Sequence, residues 1–180
     1  MRFTPVIFFA LAASNAYANS PAITIGVGRS DLSSKFSIDG EERTIKNKLQ
    51  TAYLGVFIPS ASETFGLGAE VGAGVSNGTK NFSTRSFKFV PNYKVLDLGV
   101  WVFAGAGYYD IRDTGVNHNV TTGLLGTSFR PKTGIDRLNM DFSILFEKSI
   151  SSEDFKINGV KVSNYKLENL GTSLGFAYSL

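Results

Sequence analysis

The stretch Leu170-Gly171-Thr172-Ser173-Leu174-Gly175-Phe176-Ala177-Tyr178-Ser179-Leu180 alternates without a break. Leu170, Thr172, Leu174, Phe176, Tyr178 and Leu180 are large or β-branched, whereas Gly171, Ser173, Gly175, Ala177 and Ser179 are small or polar. Alternation with a period of two places the sets on opposite faces of a β-strand. A sequence that stops on such a strand, with no polar tail, is what a membrane barrel is expected to have. Its last strand must pair with its first to abolish the sheet edge.

The same pattern recurs upstream. Residues 65–76 sort into Phe65, Leu67, Ala69, Val71, Ala73 and Val75 against Gly66, Gly68, Glu70, Gly72, Gly74 and Ser76. Residues 138–148 sort into Leu138, Met140, Phe142, Ile144 and Phe146 against Asn139, Asp141, Ser143 and Glu147. Further strands are expected near 22–30, 49–58, 84–93, 98–111 and 116–129, and the last begins near Tyr165. Helical spacing fits none of these segments as well. Short turns opened by Pro59, Pro91 and Pro131 are expected at one end, because proline does not suit a central strand. Residues 31–48 and 149–164, long and charged, read as loops at the other end. Eight strands with short turns below and longer loops above predict an all-β, eight-stranded antiparallel up-and-down transmembrane β-barrel.

Charge placement supports this orientation. A charge facing lipid at mid-bilayer costs about 2–4 kcal/mol. The expected lipid-facing cores of the third, seventh and eighth strands carry none. Glu70, Lys88, Asp141 and Glu147 fall on the opposite faces and are the candidates for ion pairs inside the lumen. Glu70 and Lys88 lie on one hairpin and can meet across it. A barrel of eight strands is filled by its own side chains, so a plugged lumen is expected rather than a channel. The second, fifth and sixth strands leave their facing more open. In the fifth, Leu98, Val100, Val102, Ala104 and Ala106 are assigned outward, with Trp101 packed inside or placed in an interfacial girdle. Phe57, Phe65, Phe129 and Tyr178 at the short-turn end, and Phe82, Tyr108 and Tyr165 at the other, are expected to form two aromatic girdles.

Composition narrows the class. Nineteen glycines, a 13% aromatic share and a mean hydropathy of +0.03 match alternating strands rather than apolar helices. There is no cysteine, which excludes disulfides and thiolate chemistry. A formal charge of +3 without a basic cluster interleaved with aromatics gives no sign of nucleic acid as a partner. Residues 1–18 have the order of a signal peptide: Arg2, an apolar run over residues 6–13, then Ala16-Tyr17-Ala18 as the cleavage site. Residues 19–180 form the barrel domain, exported and expected in the cell outer membrane.

Ser173, Gly175, Tyr178 and Leu180 fit a pattern of polar, x, Gly, x, x, hydrophobic, x, hydrophobic, which resembles the assembly signal of bacterial outer-membrane proteins. That signal usually ends on an aromatic residue, where this chain has Leu180. The stretch from Gly99 to Tyr109 resembles the fifth strand of small barrels of the OmpX/Ail and opacity-protein type. Gly126 to Pro131, followed by Met140-Asp141-Phe142-Ser143, is similar to their next hairpin. The resemblance implies an outer-membrane barrel recognised by the barrel assembly machinery, in contact with outer-membrane lipids and lipopolysaccharide, with no cofactor.

His118 is the only histidine, so histidine-based catalysis must use it. In lipid A deacylases a serine lies two residues after the histidine; here that position is Val120, and the chain is expected not to be an enzyme. A structural or surface-interaction role, like that of an adhesin or antigen, is the expectation. Residues 31–48 and 149–164 would carry any extracellular ligand. The mixed charges of 31–48 (Lys35, Asp39, Glu41, Glu42, Arg43, Lys46 and Lys48) read first as a solvated loop; the functional reading is binding of lipopolysaccharide phosphates or a host ligand, a role Lys148, Lys156, Lys161 and Lys166 would share. The alternatives are a soluble periplasmic lipocalin-like carrier with its apolar set inside, a lipid A-modifying enzyme, or a small porin.

Overall fold

The computed structural model describes residues 20–180 apart from residues 77, 79–81, 97, 114–115 and 158. The expected signal peptide, residues 1–18, lies outside the described residues. The strands are β1 (Ala22–Ile38), β2 (Glu41–Pro59), β3 (Phe65–Ser76), β4 (Ser83–Leu96), β5 (Val100–Asp113), β6 (Val116–Phe129), β7 (Leu138–Ser149), β8 (Glu153–Ile157) and β9 (Val160–Ser179). From β1 to β7 each strand pairs antiparallel with the next, β7 pairs with β9, and β9 returns to pair with β1 from Ala22↔Ser179 up to Ile38↔Val162. The five-residue β8 pairs only with the upper part of β9, so the closed wall has eight strands.

Closure abolishes the edge, and the alternation then decides which face meets the surroundings. Ile25, Val27, Leu54, Leu125 and Ile144 are 61%, 62%, 51%, 61% and 53% exposed on the outer surface. Thr24, Asn92, Thr122, Ser128 and Asn169 are buried inside. An apolar belt around the whole wall far exceeds the patches that soluble monomers expose. It is the exterior of a membrane-spanning barrel. A lipocalin-like carrier needs the opposite orientation, so the soluble alternative is overturned. In β5, Val102 and Ala104 face out while Trp101 is buried, which places Trp101 inside rather than in a girdle. In β2 the even positions from Gln50 to Leu54 face out; in β6 the odd positions from Asn117 to Phe129 do.

Several sequence expectations are corrected. Residues 31–48 are not a loop: β1 and β2 continue as a hairpin to a two-residue turn at Asp39 (φ 52°) and Gly40 (φ 83°). Two successive positive-φ residues match the twist of a two-stranded ribbon, and Asp-Gly suits them. Residues 149–164 likewise contain the β8–β9 hairpin, with Gly159 at φ 85° in its turn. Pro91 does not open a turn but lies within β4, opposite Leu67 of β3. On its other side the ladder pairs Phe89↔Ala106 and then Asn92↔Phe103, skipping the position where proline has no N–H to give. Gly105 fills that gap, since a Cβ there would strike the Phe89 carbonyl and the Pro91 ring.

The girdles are also only partly as expected. Phe65, Phe129, Tyr178 and Tyr108 are exposed on the outer face. Phe57 turns into the lumen, and Phe82 and Tyr165 are buried in the upper core. That core gathers Leu32, Leu49, Tyr109, Ile111, Val120 and Leu167 where the wall rises above the apolar belt. Near the middle of the barrel, the ring of Tyr53 lies across Gly26 of β1 and Gly175 of β9, where any Cβ would overlap it.

Candidate functional site

The lumen is organised by two ionic clusters. Near the short-turn end, Arg130 donates from Nε to Asp141 Oδ2 at 2.8 Å and from an η-nitrogen to Asn92 Oδ1 at 3.3 Å. Its guanidinium also lies 4.5 Å from the Phe57 ring centroid and 5.3 Å from that of Trp101. The two rings meet edge to face. Arginine suits this position because its planar, weakly hydrated cation can stack and hydrogen-bond together.

Higher in the lumen, Glu147 is fully buried. Lys88 Nζ lies 3.5 Å from its Oε2, the Tyr109 hydroxyl donates to the same oxygen, and Asn169 Nδ2 donates at 2.8 Å. The Lys88 ammonium also sits 5.9 Å from the centroid of the Tyr109 ring. Glu70 is directly opposite Lys88 in the β3–β4 register, but the ion pair Lys88 makes is with Glu147. All four lumen candidates therefore share the interior, and two of them, Lys88 and Glu147, are in contact. The space left around the clusters is a cavity of about 100 Å³, enough for a few waters.

Arg130, Tyr109, Asn92 and Asn169 escaped the sequence reading. Arg130 sits beside a proline turn and reads as solvated, Asn92 falls in the turn expected at Pro91, and Tyr109 and Asn169 belong to inward sets whose small neighbours drew attention instead. The residues expected to form the assembly signal lie at the closing strand. Gly175 is buried beneath Tyr53, Tyr178 and Leu180 are exposed on the outer face, and the Leu180 amide donates to Pro21 O at 2.9 Å. Ser173 shares a 2.6 Å hydrogen bond with Ser143 across the β7–β9 ladder.

Above the apolar belt the exterior turns basic. Arg29, Lys35, Lys46, Lys48, Arg85, Arg112, Lys148 and Lys166 point outward, among Asp31, Asp110 and Glu168. Lys35 and Lys148 both reach Glu168, at 3.0 and 3.5 Å. Hydrogen bonding to Lys35 holds the Glu168 carboxyl below its ordinary range. Lys161 pairs with Asp154 on the upper hairpin.

His118 faces the interior above the belt. Its ring stacks on Phe155 at 4.5 Å and meets Tyr165 edge-on at 4.5 Å. Burial pushes its pKa down, against the smaller opposing pull of Asp113 and Asp110. A histidine general base needs a hydroxyl in reach, but both ring nitrogens lack a hydrogen-bond partner among the described residues.

No family model matches the chain, and no curated protein matches it in sequence. Solved structures do match it. The outer-membrane protein AlkL, determined in lipid bilayers, aligns with a TM-score of 0.53 at 12% identity, covering 91% of this chain and 92% of that one. Neisserial surface protein A aligns at 0.49 and 14% identity over 88% and 99% of the two chains. The attachment invasion locus protein Ail of Yersinia pestis aligns at 0.46 and 13% identity over 89% and 99%. At 12% identity the likeness to AlkL is one of fold alone: a small β-barrel.

Proposed function

We propose that this chain is an integral outer-membrane barrel with a structural and surface-interaction role and without catalytic or pore activity. The observation that carries the reading is the pairing of an outward apolar belt with a lumen occupied by the Arg130–Asp141 and Lys88–Glu147 clusters. The belt anchors the protein among acyl chains, and the basic collar above it meets the phosphates of lipopolysaccharide. The β1–β2 and β8–β9 hairpins stand above the collar as preformed ribbons, which favours recognition of an extracellular partner at low ordering cost. Ser173, Gly175, Tyr178 and Leu180 serve as the segment read by the barrel assembly machinery, with Tyr178 and Leu180 presenting side chains to it before closure.

Cell fractionation with heat-modifiable gel mobility, followed by planar-bilayer recording, tests the proposal. The expected result is membrane-bound, heat-modifiable protein without stable conductance. Release into the soluble periplasm, or a steady ohmic pore, refutes it. Shortening the β1–β2 hairpin to a turn after Ser33 is expected to lower adherence of expressing cells to an epithelial monolayer while the barrel remains heat-modifiable. Undiminished adherence removes the interaction role from that hairpin.

A further inference from the structure

The outer wall carries a hollow that the apolar belt leaves unfilled. Ala52 of β2 and Ala73 of β3 lie directly opposite each other, and both face outward. Larger side chains surround this low floor. Val27 flanks Ala52 in the β1–β2 ladder, and Arg85 flanks Ala73 in the β3–β4 ladder. Two grooves of about 680 and 730 Å³ meet over Val27, Ala52, Ala73 and Leu174. The lower one runs down the belt among Ile25, Leu54, Val71 and Phe176. The upper one opens toward the basic collar at Arg29, Gln50, Val75 and Thr172.

Within a membrane such a groove meets acyl chains, and covering it brings no hydrophobic gain, because a lipid tail is already among its own kind. Shape and charge therefore select the occupant. Arg29 has the neutral Gln50 and Thr172 as its ladder neighbours. Arg85 faces Asp110 across the β4–β5 ladder, but the cation that Asp110 meets is Arg112, at 3.6 Å. Asp31 faces Lys48. Around the upper end of the groove, Arg29, Lys48, Arg85 and Arg112 thus stand against Asp31 and Asp110, and the surplus is positive.

Arginine can lay its stem along an apolar wall and present paired N–H donors to phosphate oxygens. Strands β2 and β3 lie between the two arginines, so their backbones are roughly 15 Å apart across the wall. A lipid with one phosphate engages one of them at a time. Two phosphates at opposite ends of a disaccharide engage both, while a chain attached to the sugar drops into the groove between them.

We propose that this groove holds one molecule of a diphosphorylated, multiply acylated glycolipid of the lipid A type, with an acyl chain over Ala52 and Ala73 and phosphates on Arg29 and Arg85. The proposal rests on the collar's reading as a phosphate-facing surface and turns that diffuse contact into a defined site.

Native mass spectrometry of the detergent-solubilised barrel tests it, with diphosphoryl lipid A, monophosphoryl lipid A and phosphatidylglycerol titrated in turn. A single diphosphoryl lipid A is expected to stay bound. The monophosphoryl form is expected to bind about tenfold more weakly, the loss of one arginine–phosphate contact, and phosphatidylglycerol more weakly still. Arg29→Gln and Arg85→Gln should each weaken diphosphoryl lipid A about fivefold, the scale of one charge-assisted contact at a surface. Ala73→Trp fills the groove from its outer side with every charge intact, and should abolish the preference for lipid A over phosphatidylglycerol. Each variant is accepted only if heat-modifiable mobility is retained, and the tryptophan gives a second route if an arginine variant fails to fold. Lys35 and Lys148 do not line the groove, so Lys35→Gln combined with Lys148→Gln should leave the affinity unchanged. Binding lost in that double variant but kept in Ala73→Trp overturns the groove and leaves the collar reading standing. No preference for lipid A in the unaltered protein overturns both. Equal binding of the two lipid A forms, or a two-barrel species dispersed by Ala73→Trp, overturns the proposal as well.

Discussion

Replacing Glu147 by Gln keeps the shape of a fully buried side chain but removes its charge, leaving the Lys88 ammonium without its contact partner at 3.5 Å. Deleting one member of a buried ion pair costs about 3–5 kcal/mol when nothing takes its place. Here something does. Glu70 faces Lys88 directly across the β3–β4 ladder, and the lysine stem is long enough to turn from one carboxylate to the other. The amide that replaces the carboxylate also keeps an oxygen for the Tyr109 hydroxyl and Asn169. The expected cost of Glu147→Gln alone is therefore about 1–2 kcal/mol, below the unrelieved figure. Glu70→Gln alone is expected to cost less, since Lys88 already rests on Glu147. The double variant strands the cation and should exceed the sum of the two by about 1–3 kcal/mol, the coupling of residues sharing one partner. Urea unfolding of the barrel in lipid vesicles, followed by tryptophan fluorescence of Trp101 and by gel mobility, measures all three. Additivity within about 0.5 kcal/mol, the behaviour of independent sites, would refute the idea that the two carboxylates share Lys88.

Arg130→Met should destabilise the barrel by about 3 kcal/mol in the same assay, because it leaves Asp141 buried without its cation. Arg130→Lys should recover less than half of that, since an ammonium cannot stack on Phe57 and Trp101 while bonding Asp141 and Asn92. Gly105→Ala should reduce the heat-modifiable fraction formed on refolding, as its Cβ has no space between the Phe89 carbonyl and Pro91. His118 titrates above the apolar belt with a lowered pKa. A histidine held neutral by the fold contributes its stabilisation fully above the ordinary value of 6.5 and loses it as pH falls through the lower folded value. Protection against hydrogen exchange in the β8–β9 hairpin, corrected for the intrinsic rate, should accordingly fall as pH drops from 6.5 through the lower folded value. His118→Phe should remove this pH dependence; an unchanged profile would mean that His118 does not control it.

The wall was legible because alternation is a local signal. Phe142, Ile144 and Phe146 had to share a face whichever partners they found. The upper structure was harder. Residues 31–48 look like a solvated loop when their charges are counted, yet Asp39-Gly40 and Asn158-Gly159 are strong short-range hairpin signals. Weighing them would have extended β1, β2 and β9. Pro91 misled for the opposite reason: its rule concerns a missing N–H, and only the register reveals that no bond is needed there. Within the lumen, the inward facing of Glu70, Lys88, Asp141 and Glu147 followed from alternation. Which carboxylate Lys88 chooses depends on strands far apart in sequence, β4 and β7, which are separated in the wall by β5 and β6 and meet only across the lumen. The packing of Phe36, Phe155 and Tyr165 in the upper barrel was invisible for the same reason, since the rings come from three strands.

Tyr53 gives the joint between β1 and β9 an unusual guarantor. Both edges present bare glycine backbone at that height, and the ring bridging them from within is rooted in β2. The two ends of the chain are thus fastened by a bolt belonging to neither, and the bolt can slide home only after β2 is zipped to β1. A sideways gate along this line would have to withdraw an aromatic ring from a packed interior before the first hydrogen bond let go.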